Sequence, residues 1–104
     1  MAMRLSDLPS AAHFLQGYWM QTADLLYDND VVRAVQDFVQ TEPERLSINL
    51  GAELAKISEA GFVDANPRWE DPKYMEFWDQ GGGMVLVPDD LEKIHTFLAE
   101  WESK

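Results

Sequence analysis

The chain holds few of the side chains that usually carry chemistry. It has no cysteine and two histidines, His13 and His95. Without cysteine there is no disulfide, no thiolate metal site and no thiol nucleophile, a composition that fits a reducing compartment. Neither histidine has a second histidine or an acid at a ligand spacing, and a lone helical histidine is more often structural or exposed than a ligand. Gly81-Gly82-Gly83 resembles a phosphate loop only superficially. It lacks the Gly-Lys-Ser/Thr of a P-loop and the preceding strand of a dinucleotide site, and Asp79 nearby would repel phosphate, so it reads as a linker. Ser6, Ser10, Ser47, Ser58 and Ser103 sit in no nucleophile elbow. Carboxylates are plentiful, but catalytic pairs must converge across a cleft or on a metal. Here they fall on polar faces, caps and linkers. The expectation is a protein that is not an enzyme and takes no cofactor and no metal.

What the residues do favour is binding. Nineteen Asp and Glu face eight Lys and Arg, a formal charge of −11. Such a surface repels nucleic acid and anionic membranes and attracts a basic protein partner. The same charge also serves solubility. Trp19, Trp78 and Trp101 fall on apolar stripes and read as core. Trp69 differs, standing in Pro67-Arg68-Trp69-Glu70-Asp71 between charged neighbours. An aromatic ringed by charge is the composition of an interface anchor; the competing reading is a ring folded back as a lid on the core. The candidate partner-binding residues are therefore Trp69 with Glu70 and Asp71, and the acids Asp24, Asp28 and Asp30 of the first linker.

The elements that must position these residues are helices. At 104 residues the chain is one domain, long enough to bury a core without staples. A first helix is expected from Ser6, Asp7 or Ser10 to about Gln21, with Pro9 in its opening turn and Gly17 marking close approach of another backbone. Thr22 to Asp30 reads as a linker pinned by Leu25, Leu26 and Tyr27. Asp28, Asn29 or Asp30 caps a second helix with the stripe Val31, Val35, Phe38 and Val39. Thr41-Glu42-Pro43-Glu44 has capping-box spacing and opens a third helix, with Leu46, Leu50, Leu54 and Ile57 as its stripe, Gly51 as its weak point and Gly61 as its stop. Asp71-Pro72 starts a fourth helix carrying Tyr74, Phe77 and Trp78. Met84 to Val87 is ambiguous, an extended stretch with no partner strand. Pro88-Asp89-Asp90 opens the last helix, with the stripe Leu91, Ile94, Leu98 and Trp101. Five helices and no convincing strand pair predict an all-α, bundle-like single domain over 1–104. Its core is expected to hold Leu15, Tyr18, Trp19, Phe38, Leu50, Leu54, Leu98 and Trp101. No secretory leader and no apolar run of bilayer-spanning length is visible, so a cytoplasmic location without membrane contact is expected.

Phe14-Leu15-x-Gly17-Tyr18-Trp19-x-Gln21 resembles the N-terminal signature of small helical immunity proteins of bacterial contact-dependent growth inhibition systems. Members often read Phe-Leu-x-x-Tyr-Phe-His-Gln-Asp, followed by an amphipathic helix like Val31 to Val39 and a helix with a Glu-Leu pair like Glu53-Leu54. The likeness covers residues 11 to about 60. Met20 and Thr22 depart from it, standing where His and Asp are common, so any shared role of that pair is missing here. The resemblance implies a cognate toxin, the C-terminal domain of a large exported protein, that the immunity protein binds and blocks. Such toxins are often nucleases, which are basic around their active sites because they hold phosphates, and a chain of this acidity is their electrostatic complement. Two other readings stand beside it. One is a different acidic binding module, such as an antitoxin or a phage inhibitor mimicking nucleic acid, which would space its carboxylates as phosphates are spaced. The other is an enzyme, which would need His13 or His95 clustered with carboxylates in a deep pocket.

Overall fold

The computed structural model describes residues 4–19, 27–28, 30–81 and 85–103, with the side chains of 80 and 81 excepted. Among them the chain is all-helical: a 3-10 turn, Leu5–Asp7, then α1 (Pro9–Gly17), α2 (Val31–Thr41), α3 (Glu44–Glu59), α4 (Pro72–Gly81) and α5 (Pro88–Glu102). No strand occurs among the described residues; 85–87 is irregular and its Leu86 is fully buried. α3 packs on α1 and α5, α2 packs on α5 and α3, and α4 packs on α1 and the 3-10 turn.

The stripes read from the sequence face the core, with Val39, Leu46 and Leu91 only partly buried at its edge. Val31, Val35 and Phe38 of α2, Leu50, Leu54 and Ile57 of α3, and Ile94 and Leu98 of α5 are all buried. Leu15 and Trp19 join them. Tyr18 and Trp101 are only half-buried, because the Tyr18 hydroxyl leaves the core to donate to Glu42 at 2.9 Å and Trp101 lines a surface groove. Phe14 stands edge-on to Phe38, centroids 5.6 Å apart and planes at 87°, and locks α1 to α2. Tyr74, Phe77 and Trp78 are the buried face of α4.

The caps correct several expectations. α1 ends at Gly17, not near Gln21; residues 20–26 lie outside the described ones. A Cβ at Gly17 would meet nothing within 4 Å, so no backbone approaches closely there. Gly51 does face a neighbour, with Leu98 Cδ1 3.4 Å from where its Cβ would stand. Neither Ser6, Asp7 nor Ser10 caps α1. Leu8 is the N-cap residue, without a side-chain cap, and Ser10 is buried inside the first turn. The acceptor arrives from α3: Oε1 of Glu53 takes the amides of Ser10 at 2.9 Å and Ala11 at 3.1 Å.

The capping box at Thr41 is also absent. A residue before proline is driven from helical to extended backbone. Glu42, before Pro43, accordingly sits at φ −90°, ψ 158°, so Thr41 closes α2 instead of opening α3, and Pro43 becomes the N-cap residue of α3. Other signals hold. Asp30 caps α2 by accepting from the Val32 amide at 3.0 Å. Asp71 accepts from the Lys73 amide at 2.9 Å, with Pro72 the first residue of α4. Gly61 follows α3 at φ +87°, backbone that a residue with a Cβ adopts only under strain.

Candidate functional site

Trp69 sits on a short turn built for it. The Asp71 amide donates to the Arg68 carbonyl at 2.9 Å, which makes Trp69 and Glu70 the central pair of the turn. The Asp71 carboxylate is committed to the start of α4. The Asn66 amide donates to Asp64 at 3.0 Å, and the Arg68 guanidinium donates to the Gly61 carbonyl and pairs with Asp64 at 3.5 Å. From below, Phe62 stacks on Phe77 at 4.3 Å, and the Trp78 indole donates to the Phe62 carbonyl at 2.8 Å. The loop from 61 to 71 is thus anchored at both ends.

On this platform the Trp69 ring stands edge-on to buried Tyr74, centroids 5.4 Å apart and planes at 81°, with the Arg68 guanidinium over the same Tyr74 ring at 5.6 Å. Trp69 remains 46% exposed, so it is neither a closed lid nor a free ring. One edge is fixed and the rest is offered to solvent. Met75, one turn further along α4, is 48% exposed. Three large apolar side chains are exposed among the described residues, Ile48, Trp69 and Met75, and two of the three belong to this segment. Glu70, the residue after Trp69, lines a shallow groove of about 340 Å³ with Pro72, Met75, Glu76 and Asp79; Trp69 itself is not part of the lining. Apolar side chains among carboxylates are electrostatically complementary to basic groups.

The other predicted acids stand elsewhere. Asp24 lies outside the described residues. Asp28 and Asp30 sit at the head of α2, which packs on α5 and α3, not at the head of α4. Both have local work: Asp30 is a helix cap, and Asp28, at φ +52°, pairs with Arg33 at 3.0 Å. Glu70 has no such tie and is exposed. Glu76 and Asp79, one and two turns along α4 from Pro72, are not among the partner-binding residues expected from the sequence; their spacing from Pro72 and Met75 on one helix face carries the signal.

A second polar cluster escaped sequence reading altogether. Glu42 bridges His13, Nε2 to Oε1 at 2.6 Å, and the Tyr18 hydroxyl at 2.9 Å. Next to it Asp37 accepts from the Tyr27 hydroxyl at 2.7 Å and from Thr41 at 3.3 Å. Here is a histidine beside carboxylates, the residue types an enzyme would need, with the side chains engaged by one another: His13 and Tyr18 by Glu42, Tyr27 and Thr41 by Asp37. Burial, then the Glu42 hydrogen bond and charge, pushes the Tyr18 hydroxyl up to about 12. Burial and Asp37 push Tyr27 equally, to about 12. A tyrosine acting as a base or nucleophile needs the opposite shift. These hydroxyls are held protonated as donors that tie α1 and the approach to α2 onto its last turns. No group of three or more His, Cys, Asp or Glu suited to a metal ion occurs among the described residues, and no described helix is long and apolar enough to cross a membrane.

Compared with known protein families, curated proteins and solved structures, the chain matches none of them.

Proposed function

We propose that the chain is a non-enzymatic immunity protein that binds and neutralises a basic toxin domain, a nuclease, delivered by a contact-dependent growth inhibition system. The observation that carries the reading is Trp69: a large aromatic held half-exposed on an anchored turn, whose other central residue, Glu70, lines a groove with carboxylates on it, on a chain of net charge −11. Hot spots of protein interfaces are enriched in such pre-positioned aromatics, because little freedom is lost when they bind. Acids around the anchor favour a partner whose own site is basic because it holds phosphates. Two groups of residues that carry the sequence resemblance also act together. Phe14 and Leu15 are core residues of α1, and Glu53 of the Glu53-Leu54 pair caps that same helix. In this reading the protein blocks the toxin by covering its active site or its substrate's approach, in the cytoplasm of the cell it protects.

The test pairs a titration with a melt on Trp69→Ala. The probe is the C-terminal domain of the large exported polypeptide that this reading places directly upstream in the genome. Loss of the anchor weakens binding by about 2 kcal/mol or more, roughly 30-fold in Kd. Stability falls only by the edge-on contact with Tyr74, on the order of 1 kcal/mol. A large drop in the unfolding midpoint with intact affinity would return Trp69 to the core and remove the anchor.

A further inference from the structure

A second surface, on another side of the fold from Trp69 in terms of the helices that build it, has the composition of a docking groove. It lies where α5 packs on α2 and is lined by Val32, Asp89, Glu92, Lys93, Phe97 and Glu100 together with Thr96. Its volume is about 450 Å³, within the range of sites that hold side chains of a ligand. Val32 and Phe97 are half-buried and supply the apolar floor. Asp89, Glu92, Thr96 and Glu100 recur at intervals of three, four and four, so they form one row along α5. At 1.5 Å per residue that row is about 16 Å long, three helical turns.

The charges of the row are unspent. Among the described residues none of Asp89, Glu92 and Glu100 is in an ion pair. The single cation lining the groove is Lys93, and it too is in no ion pair among the described residues. Three acids against one lysine leave the lining of the groove net negative. An apolar floor flanked by a row of free carboxylates is complementary to one kind of occupant, an amphipathic basic helix that lays its apolar face on the floor and its Lys and Arg along the row.

We propose that the α2–α5 groove is a docking site for a basic amphipathic helical segment of a partner protein, separate from the Trp69 surface. It stands on the groove's own geometry and does not depend on the immunity reading.

The probe is a synthetic helical peptide with leucines on one face and lysines and arginines on the other. A peptide of the same pattern with glutamate in place of the basic residues is the control. Amide chemical shifts of the whole chain are followed during titration. Saturable binding with shifts concentrated at Val32, Asp89, Glu92, Thr96, Phe97 and Glu100 is expected, weakening with salt and absent for the acidic peptide. Glu92→Lys with Glu100→Lys changes two exposed side chains, and an unchanged melt of that variant shows the fold intact. It should weaken the basic peptide at least tenfold. Shifts centred on Trp69 and Met75, shifts scattered without saturation, or equal binding by the charge-reversed variant would each overturn the proposal.

Discussion

Glu53 offers the sharpest handle on how the fold is held. An α-helix leaves its first four amides without intrahelical acceptors. At the head of α1 they can be followed one by one. The Leu8 amide donates to the Leu5 carbonyl at 3.0 Å, Pro9 has no N–H, and Ser10 and Ala11 both donate to Glu53 Oε1. Both residues are buried, so water cannot readily replace the carboxylate. Glu53→Ala therefore strips two buried donors of a charged acceptor. Each orphaned amide costs about 1–3 kcal/mol; with some water entering the space left by the side chain, we expect a loss of about 3 kcal/mol. For a domain of this size that lowers the midpoint by roughly 12–24 °C. Glu53→Gln keeps an oxygen where Oε1 stands and loses only the charge and its attraction to the helix dipole, about 1 kcal/mol. Urea unfolding followed by tryptophan fluorescence measures both, and amide exchange at Ser10 and Ala11 localises the effect. A Glu53→Ala protein within about 0.5 kcal/mol of the parent, or a Gln variant as damaged as the Ala one, would refute the reasoning.

Two further outcomes follow from the charges. The folded protein holds Tyr18 and Tyr27 protonated up to about 12, whereas the unfolded chain releases these protons near 10. Their contribution to stability is therefore fully present below pH about 10 and is lost as pH rises from about 10 to about 12. Tyrosinate absorbance should show Tyr18 and Tyr27 titrating late in the folded chain and normally in denaturant; normal titration in the folded chain would remove their hydrogen bonds to Glu42 and Asp37. Association with a basic toxin domain should slow several-fold as salt rises from low to physiological, where screening shortens to about 8 Å, and a salt-independent on-rate in stopped flow would leave the acidity a matter of solubility.

The stripes of α2, α3 and α5 were legible because helix periodicity is a local property: Val31, Val35 and Phe38, or Leu50, Leu54 and Ile57, can be read without knowing what they touch. Signals set by one or two neighbouring residues were also readable, among them Asp30, Asp71-Pro72 and Gly61. Where two local signals competed, the stronger backbone constraint won, and Pro43 overrode the box that Thr41 and Glu44 spell in the sequence. What could not be read came from distance along the chain. Glu53 caps a helix that begins more than forty residues earlier, and His13 meets Glu42 across a helix pair. No spacing rule reaches that far. At the candidate site the charged setting of Trp69 was visible. The alignment of Glu76 and Asp79 with Met75 is a spacing present in the sequence, but that this face of α4 is the exposed one needed the helix to be placed against its neighbours first.

Neutralisation of a toxin domain is what the proposed function requires, and cell survival reads it out. The C-terminal domain of the exported polypeptide encoded directly upstream is induced in a bacterial host alone, with this chain, and with Trp69→Ala. The prediction is that the domain alone arrests growth, that the chain restores growth and co-purifies with the domain, and that the variant protects less at equal abundance. Growth arrest undiminished by the chain, or a domain that neither harms the cell nor binds, would contradict it.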